Sequence, residues 1–270
     1  MATTEYARPE ANRICNLIPS RDTERDWRIE SAIESKAIAA PAAALPSSVD
    51  LRAAWWNISN QESTGSCVGW ASTDGVARYH MVRAGKLPEA GRLSPRCTWM
   101  ASKETDEFTN RPETFIEGAG TSLKAAMEFL RKYGSVLESF LPFHISTSMY
   151  LGNENTFYAA AAMRRIASYF NLGKDFNAWR TWLATHGPIM AGLSVDATWD
   201  NATATHGNLD IFQPNTVRGG HAVCIVGYTP DKRFIIRNSW GTAWGDKGFA
   251  YASEGYINSA FFNESYGVTV

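Results

Sequence analysis

The chain has 270 residues and a formal net charge of −1, with Lys, Arg, Asp and Glu spread along it. No basic run or stripe marks a nucleic-acid footprint, and no apolar run reaches the roughly 18 residues that span a bilayer. The N-terminus, MATTEYARPEANR, lacks the apolar core of a secretory signal, so a soluble, cytoplasmic protein is expected.

Residues 1–46 form a distinct N-terminal extension: charged runs, the segment NLIPSRDTERDW, then the Ala/Pro-rich KAIAAPAAALPSS, which reads as a flexible tether. Helical signals follow. In residues 67–84, Val68, Ala71, Ser72, Val76, Tyr79 and Val82 recur at three- and four-residue steps, the period of one helix face, and Gly85 is a stop. LSPRCTWMASKE has Ser94 as N-cap and Pro95 at the first helical position. TSLKAAMEFLRKYG has Thr121 or Ser122 as its cap and ends at Gly134. After a helix around DFNAWRTWLATHG the character changes to short apolar runs: PIMAGLSV, HAVCIVGY, RFIIRNSW and GFAYASE. Helices first and strands later argue for an α+β arrangement of two lobes, helical over about 50–165 and β-rich over about 166–258. A cleft between lobes is a preferred ligand site.

Four cysteines, Cys15, Cys67, Cys97 and Cys224, stand far apart. None shows zinc, redox or disulfide-framework spacing. Cys224 and Cys97 read as small buried hydrophobes in a strand and a helix. Cys67 differs. It opens the helix of residues 67–84, where unpaired amides and the macrodipole favour a thiolate. Its alternative is a packed structural thiol.

A nucleophile needs a base, and His221 in RGGHAVCIVGY opens an apolar strand at its mouth. His80 and His186 have structural explanations on helices. Asn238, at the end of the following strand in RFIIRNSWGTAWG, is placed to orient His221, although an Asn at a strand end also serves turns. Gln61, six residues before Cys67, is a candidate donor to an oxyanion alongside the Cys67 amide, or a solvated loop glutamine.

Taken together, Gln61, five residues, then Cys67 opening a helix, a Gly-flanked His-Ala-Val strand, and Asn-Ser-Trp-Gly-x-x-Trp-Gly resemble the papain family of cysteine peptidases. LPSSVDLR resembles the start of the family's mature domain. The resemblance covers about residues 46–258 and implies the papain-like two-lobed fold, a mainly helical lobe and a mainly antiparallel β lobe with the active-site cleft between them. It implies Cys67 as nucleophile, His221 as base and acid, Asn238 as its orienter and Gln61 as oxyanion donor. Trp240 would shield the His–Asn pair, and Trp244 would line the leaving-group side of the cleft. Gly192 and Ala222 would line the pocket for the residue two before the scissile bond, and Gly120 would pair with substrate backbone. A roomy, apolar pocket is expected. The resting state implied is a thiolate–imidazolium pair.

Three features depart from the family pattern. Thr64 stands where a disulfide-forming cysteine is common, and Val68 where an aromatic is common. His221 and Asn238 also follow Cys67 at a spacing longer than roughly 130–150 residues, which points to extra loop length in SKETDEFTNRPETFIEGAG.

The expected activity is peptide hydrolysis through an acyl-enzyme. Ligation on the same residues and a catalytically silent peptide-binding module are the alternatives. The implied partner is a peptide or protein substrate. No metal-ligand spacing or phosphate-cradling glycine loop is present, and no cofactor is implied. The sequons at Asn57, Asn201 and Asn263 carry weight only on a secretory route. Residues 1–46 read either as a short pro-segment across the cleft or as a structural arm.

Overall fold

The computed structural model describes residues 13–39, 44–105, 118–144 and 154–270. Most of the SKETDEFTNRPETFIEGAG insertion, and the first twelve residues, lie outside these.

A helical rod begins at Cys67 and runs to Arg83: α-helical over Cys67–Gly69, π-helical over Trp70–Ala77 and α-helical again over Arg78–Arg83. The sequence pattern predicts a one-sided amphipathic helix, but every residue from Cys67 to Met81 is buried. The rod is central: the sheet lies on one side, and the helices Pro95–Thr105 and Leu123–Lys132 cover the other. Small residues permit this. A Cβ on Gly69 would stand 2.5 Å from the Pro95 carbonyl oxygen, and one on Gly75 would stand 3.1 Å from Cys224 Cβ. The caps follow the sequence signals. Ser94 Oγ accepts from the Cys97 amide and Ser122 Oγ from the Ala125 amide.

The β lobe is one eight-stranded sheet. Its strands are β1 (Val49–Asp50), β2 (Ser168–Asn171), β3 (Ile189–Val195), β4 (Asn208–Leu209), β5 (Gly219–Tyr228), β6 (Phe234–Arg237), β7 (Phe249–Ala252) and β8 (Phe261–Thr269). The order is β2-β8-β3-β5-β6-β7-β4 with β1 on β5. All pairings are antiparallel except β4 with β7. Strand β5 is buried on both faces. Val223 and Ile225 join the core with Trp179, Trp182 and Phe234, while Ala222, Cys224 and Val226 join the core of the Cys67 helix. Such two-sided burial requires a continuous apolar run, which HAVCIVGY supplies.

The sheet continues past residue 258. Strand β8 lies between β2 and β3, inside the sheet, although Asn263, Glu264 and Ser265 interrupt its apolar pattern. Glu264 is buried and accepts the Ser20 amide through Oε1 at 3.1 Å. A third core, around Trp70, Cys97, Trp99, Phe129 and Phe157, holds the helical lobe.

Candidate active site

Ser66 precedes the helix but makes no side-chain cap; its hydroxyl pairs instead with Thr64 Oγ1 at 2.6 Å. The first-turn amides stay open to the Cys67 sulfur, and the amides of Ala222, Val68 and Cys67 itself lie where they favour its thiolate. The Ala222 amide belongs to β5, so the thiol lies against the strand that carries His221 one residue earlier.

His221 is fully buried, and its Nε2 lies 2.8 Å from Asn238 Oδ1. That oxygen also accepts the Ser239 amide at 2.8 Å. It is therefore an acceptor, and the hydrogen sits on Nε2. Nδ1 is left without hydrogen and without a partner among the described residues. β6 ends at Arg237, so Asn238 is the first residue beyond the strand, free to turn its amide towards the neighbouring strand β5.

Trp240 tilts over the imidazole at a centroid distance of 4.9 Å, and Trp199 meets it edge-on at 5.6 Å. Trp244 is one layer deeper than the cleft wall. It is buried, stacks on Trp199 at 5.4 Å and donates from Nε1 to the Trp199 carbonyl oxygen at 3.0 Å. Its role is to back the two rings that enclose His221. Trp199, absent from the sequence reading, is held by Tyr256, whose hydroxyl accepts from Trp199 Nε1 and donates to Asp196 Oδ1. It sits on a short helix, Ala197–Asp200, in a stretch without a motif, so nothing local singled it out.

Gln61 is buried, not solvated. Its amide donates to the Ser239 carbonyl oxygen at 2.7 Å, and its Oε1 accepts from Ser239 Oγ at 2.8 Å. Nε2 donates one hydrogen to the Thr64 carbonyl oxygen at 3.0 Å, and a second remains. Thr64 Oγ1 returns a bond to the Gln61 carbonyl oxygen at 2.7 Å, closing the loop without a disulfide. Ser239, between Asn238 and Trp240, thus fixes the candidate oxyanion donor to the strand end that orients His221. Sequence reasoning passed over it because a serine inside a tryptophan-rich motif carries no chemistry of its own.

Gly192 and Ala222 face each other as paired residues of β3 and β5. What fills the space beside Gly192 is the N-terminal extension. A Cβ on Gly192 would stand 2.8 Å from Leu17 Cδ2, with Phe262 and Leu123 as the other walls. The extension crosses the cleft from end to end. Arg13 donates to Asn60 Oδ1 at 2.8 Å and to the Glu62 and Trp240 carbonyl oxygens at 2.9 and 3.3 Å. The Cys15 backbone lies on Gly219, and Asn16 packs on Gly65 and Gly120 while its amide donates to the Gly118 carbonyl oxygen. The Leu17 amide donates to the Gly220 carbonyl oxygen at 3.0 Å and the Ile18 amide to that of Thr121 at 3.2 Å. Beyond the cleft, Asp26 pairs with Lys124 at 2.6 Å and accepts from Asn171 and Tyr266, and Ala32 and Ile38 enter the core of the β lobe.

Burial sets the electrostatics. It pushes the Cys67 thiol up to about 11, against the pull of three amides, and the His221 imidazole down to about 4, against its bond to Asn238. Burial thus acts against charge on both groups, whereas the thiolate–imidazolium pair implied by the family resemblance carries charge on both.

Among the described residues, no group of three His, Cys, Asp or Glu side chains is placed to hold a metal ion. No helix among them is long and apolar enough to cross a membrane.

The family model for papain family cysteine protease matches residues 45–267. The chain belongs to the papain family of cysteine proteases. It is 26% identical over 210 residues to cysteine proteinase 1 of Dictyostelium discoideum, a match covering 73% of this chain and 57% of that one. The match thus spans little more than half of that relative's length. Xylellain, a cysteine protease from Xylella fastidiosa, has a TM-score of 0.79 at 22% identity over 99% of both chains. Procathepsin L2 from the Tenebrio molitor larval midgut has a TM-score of 0.70 at 22% identity, covering 99% of this chain and 81% of that one. These likenesses show the papain-like α+β fold.

Proposed function

We propose that the chain is a cysteine peptidase in which Cys67, His221, Asn238 and Gln61 hydrolyse peptide bonds through a thioester. One observation carries the reading. The imidazole is held by Asn238 in the tautomer that leaves Nδ1 bare, on the strand whose next amide, that of Ala222, reaches the Cys67 sulfur. In the open enzyme, Nδ1 takes the Cys67 proton, and the thiolate attacks the peptide carbonyl carbon. The Cys67 amide and the second hydrogen of Gln61 Nε2 stabilise the oxyanion. His221 then gives its proton to the departing amine, and the carbonyl re-forms as a thioester. Water, deprotonated by His221, attacks the thioester and returns the thiol and a free carboxylic acid. Asn238 holds the ring through both transfers, and Trp199 and Trp240 keep water off its bond to Nε2.

Residues 13–20 act in this reading as an intramolecular inhibitor. A substrate would place its pocket residue at Gly192 and its leaving group, which follows in sequence, towards Trp240. The extension runs the other way: Arg13 is at Trp240 and Leu17, later in sequence, is at Gly192. Reversed, it fills the cleft without presenting a scissile bond in register. That Tenebrio protein, a procathepsin by name, supports a proform reading of this chain.

The test of the activity is turnover of a fluorogenic peptide by the full chain, paired with labelling by a thiol-directed epoxide. Labelling and hydrolysis should both depend on Cys67 and vanish in Cys67→Ala. Hydrolysis persisting in Cys67→Ala would overturn the assignment.

A further inference from the structure

Seven residues along the helix that Cys67 opens, inside its π-helical stretch, lies Asp74, fully buried. Its carboxylate accepts from Arg237 Nη2 at 2.7 Å, from Arg78 Nη1 at 3.1 Å, and from Arg92 Nη2 and Ser59 Oγ at 3.4 and 3.3 Å. Burial acts to raise the Asp74 pKa, but the guanidiniums of Arg237, Arg92 and Arg78 outweigh it, so the carboxyl is held below its usual range.

These partners divide by lobe. Arg78 is on the same helix and otherwise bonds the carbonyl oxygens of Gly91, Trp55 and Glu89, all in the helical lobe. Arg237 is the last residue of β6, directly before Asn238, and is itself buried. Its Nη2 also donates to the Asn57 carbonyl oxygen at 2.6 Å, and its guanidinium lies over Trp56 at 4.8 Å. Arg237 is the β6 partner of Cys224, and Cys224 is the residue on which Gly75, next to Asp74, packs. The helix packs along the sheet on β3, β5 and β8, and two of its contacts lie beside the candidate site residues. At one, Cys67 touches the Ala222 amide beside His221. At the other, Gly75 and Asp74 touch Cys224 and Arg237 beside Asn238.

We infer that Asp74 and Arg237 are positioning residues: their buried ion pair sets how the helix that carries Cys67 seats on the strands that carry His221 and Asn238. Apolar packing holds the helix on the sheet, and the buried ion pair adds a directional contact that fixes its exact seat. A pivot at the far contact displaces the sulfur from the imidazole, and a misplacement of about 1 Å at reacting groups costs on the order of 10²-fold in rate. The inference rests on the peptidase reading, and its test has a readout that does not.

The experiment compares Asp74→Asn, Arg237→Lys and Arg78→Gln in the full chain, with kcat and KM expressed per Cys67 titrated by the epoxide. The rate of Cys67 alkylation by iodoacetamide is followed in parallel by peptide mapping. Asp74→Asn should lower kcat by about tenfold to a hundredfold with KM within about threefold, and slow alkylation. Arg237→Lys keeps the charge but not the planar fork and should fall between it and the wild type. Arg78→Gln removes a cation from the same carboxylate within one lobe. It should lower the melting temperature while moving kcat by no more than about threefold.

Unchanged kcat per titrated site in Asp74→Asn, a change confined to KM, or equal loss in Arg78→Gln would each overturn the inference. If Asp74→Asn does not fold, the contrast between Arg237→Lys and Arg78→Gln decides. If neither the wild type nor a chain whose covering segment is displaced by Leu17→Asp turns over peptide, the peptidase reading fails and the alkylation rates still decide the positioning role.

Discussion

Leu17→Asp should switch the full chain on. Leu17 is 5% exposed, and its side chain fills the pocket between Gly192, Leu123 and Phe262. Withdrawing a leucine from such a site costs about 1.5–3 kcal/mol. A carboxylate in its place, among Leu123 and Phe262, adds a desolvation penalty. About 2–4 kcal/mol of docking energy is thereby lost, and each 1.4 kcal/mol is roughly tenfold in the open population. While the open fraction is small, kcat/KM scales with it. Hydrolysis of a fluorogenic peptide well below KM should therefore rise at least about tenfold, with kcat/KM per titrated Cys67 the measured quantity. Activity that stays level or falls, in a protein whose melting temperature is kept, would refute residues 13–20 as the inhibitor and leave them a structural arm.

Gln61→Ala should lower kcat by roughly 10²–10³-fold through the oxyanion. Ser239→Ala, which frees Gln61 Oε1, should cost about tenfold, and a double variant no worse than Gln61→Ala alone would show that Ser239 acts through Gln61. Gly192→Val should raise KM for substrates with leucine or phenylalanine two residues before the cut, because even a Cβ there stands 2.8 Å from Leu17 Cδ2; a library profile preferring a small or acidic residue at that position in the unmodified protein would contradict the apolar pocket. His80 and His221 are both held neutral by burial, each at about 4 against an ordinary 6.5. Unfolding therefore takes up protons below pH 6.5, and stability present above that pH is lost as pH falls towards 4. The combined slope approaches about 2.7 kcal/mol per pH unit. His80→Gln should roughly halve the dependence of the melting temperature on pH in that range, and an unchanged slope would show that His80 is not buried neutral.

The strands and caps that sequence made legible share one property: their signals are local. Ser94 and Ser122 cap through the next turn, and β5 is an unbroken apolar run because both its faces are covered. The four candidate residues are likewise carried by short motifs, and Asn238 Oδ1 lies 2.8 Å from His221 Nε2. What stayed hidden depends on tertiary partners. Strand β8 carries Glu264 in its middle, a residue that a strand pattern rejects and that the Ser20 amide satisfies. Asp74 and Arg78 carry no local signal of burial, yet each is buried with the other. Trp199 gains its place at His221 only through Tyr256 and Asp196. The tether reading came from the composition of KAIAAPAAALPSS, of which residues 40–43 lie outside the described residues; Ile38 within it enters the core of the β lobe, and before it Asp26 accepts from Asn171 and Tyr266.

The covered state also bears on how inhibition works. A segment lying across a cleft blocks substrate by volume alone, and any filler would do that. On the proposed reading this one also adds to the burial of Cys67 and His221, which the amides at Cys67 do not offset. Taking a thiolate and an imidazolium out of water disfavours both charges together, so the proposed inhibitor would act on the thiol as well as on access. Opening then does two things in one step: it admits substrate and restores the ionised pair. Alkylation of Cys67 in the wild type should accordingly be slow and should accelerate in Leu17→Asp in proportion to kcat/KM. A small neutral alkylating agent that reacts at the same rate in both proteins would show that the extension excludes substrate without altering the thiol.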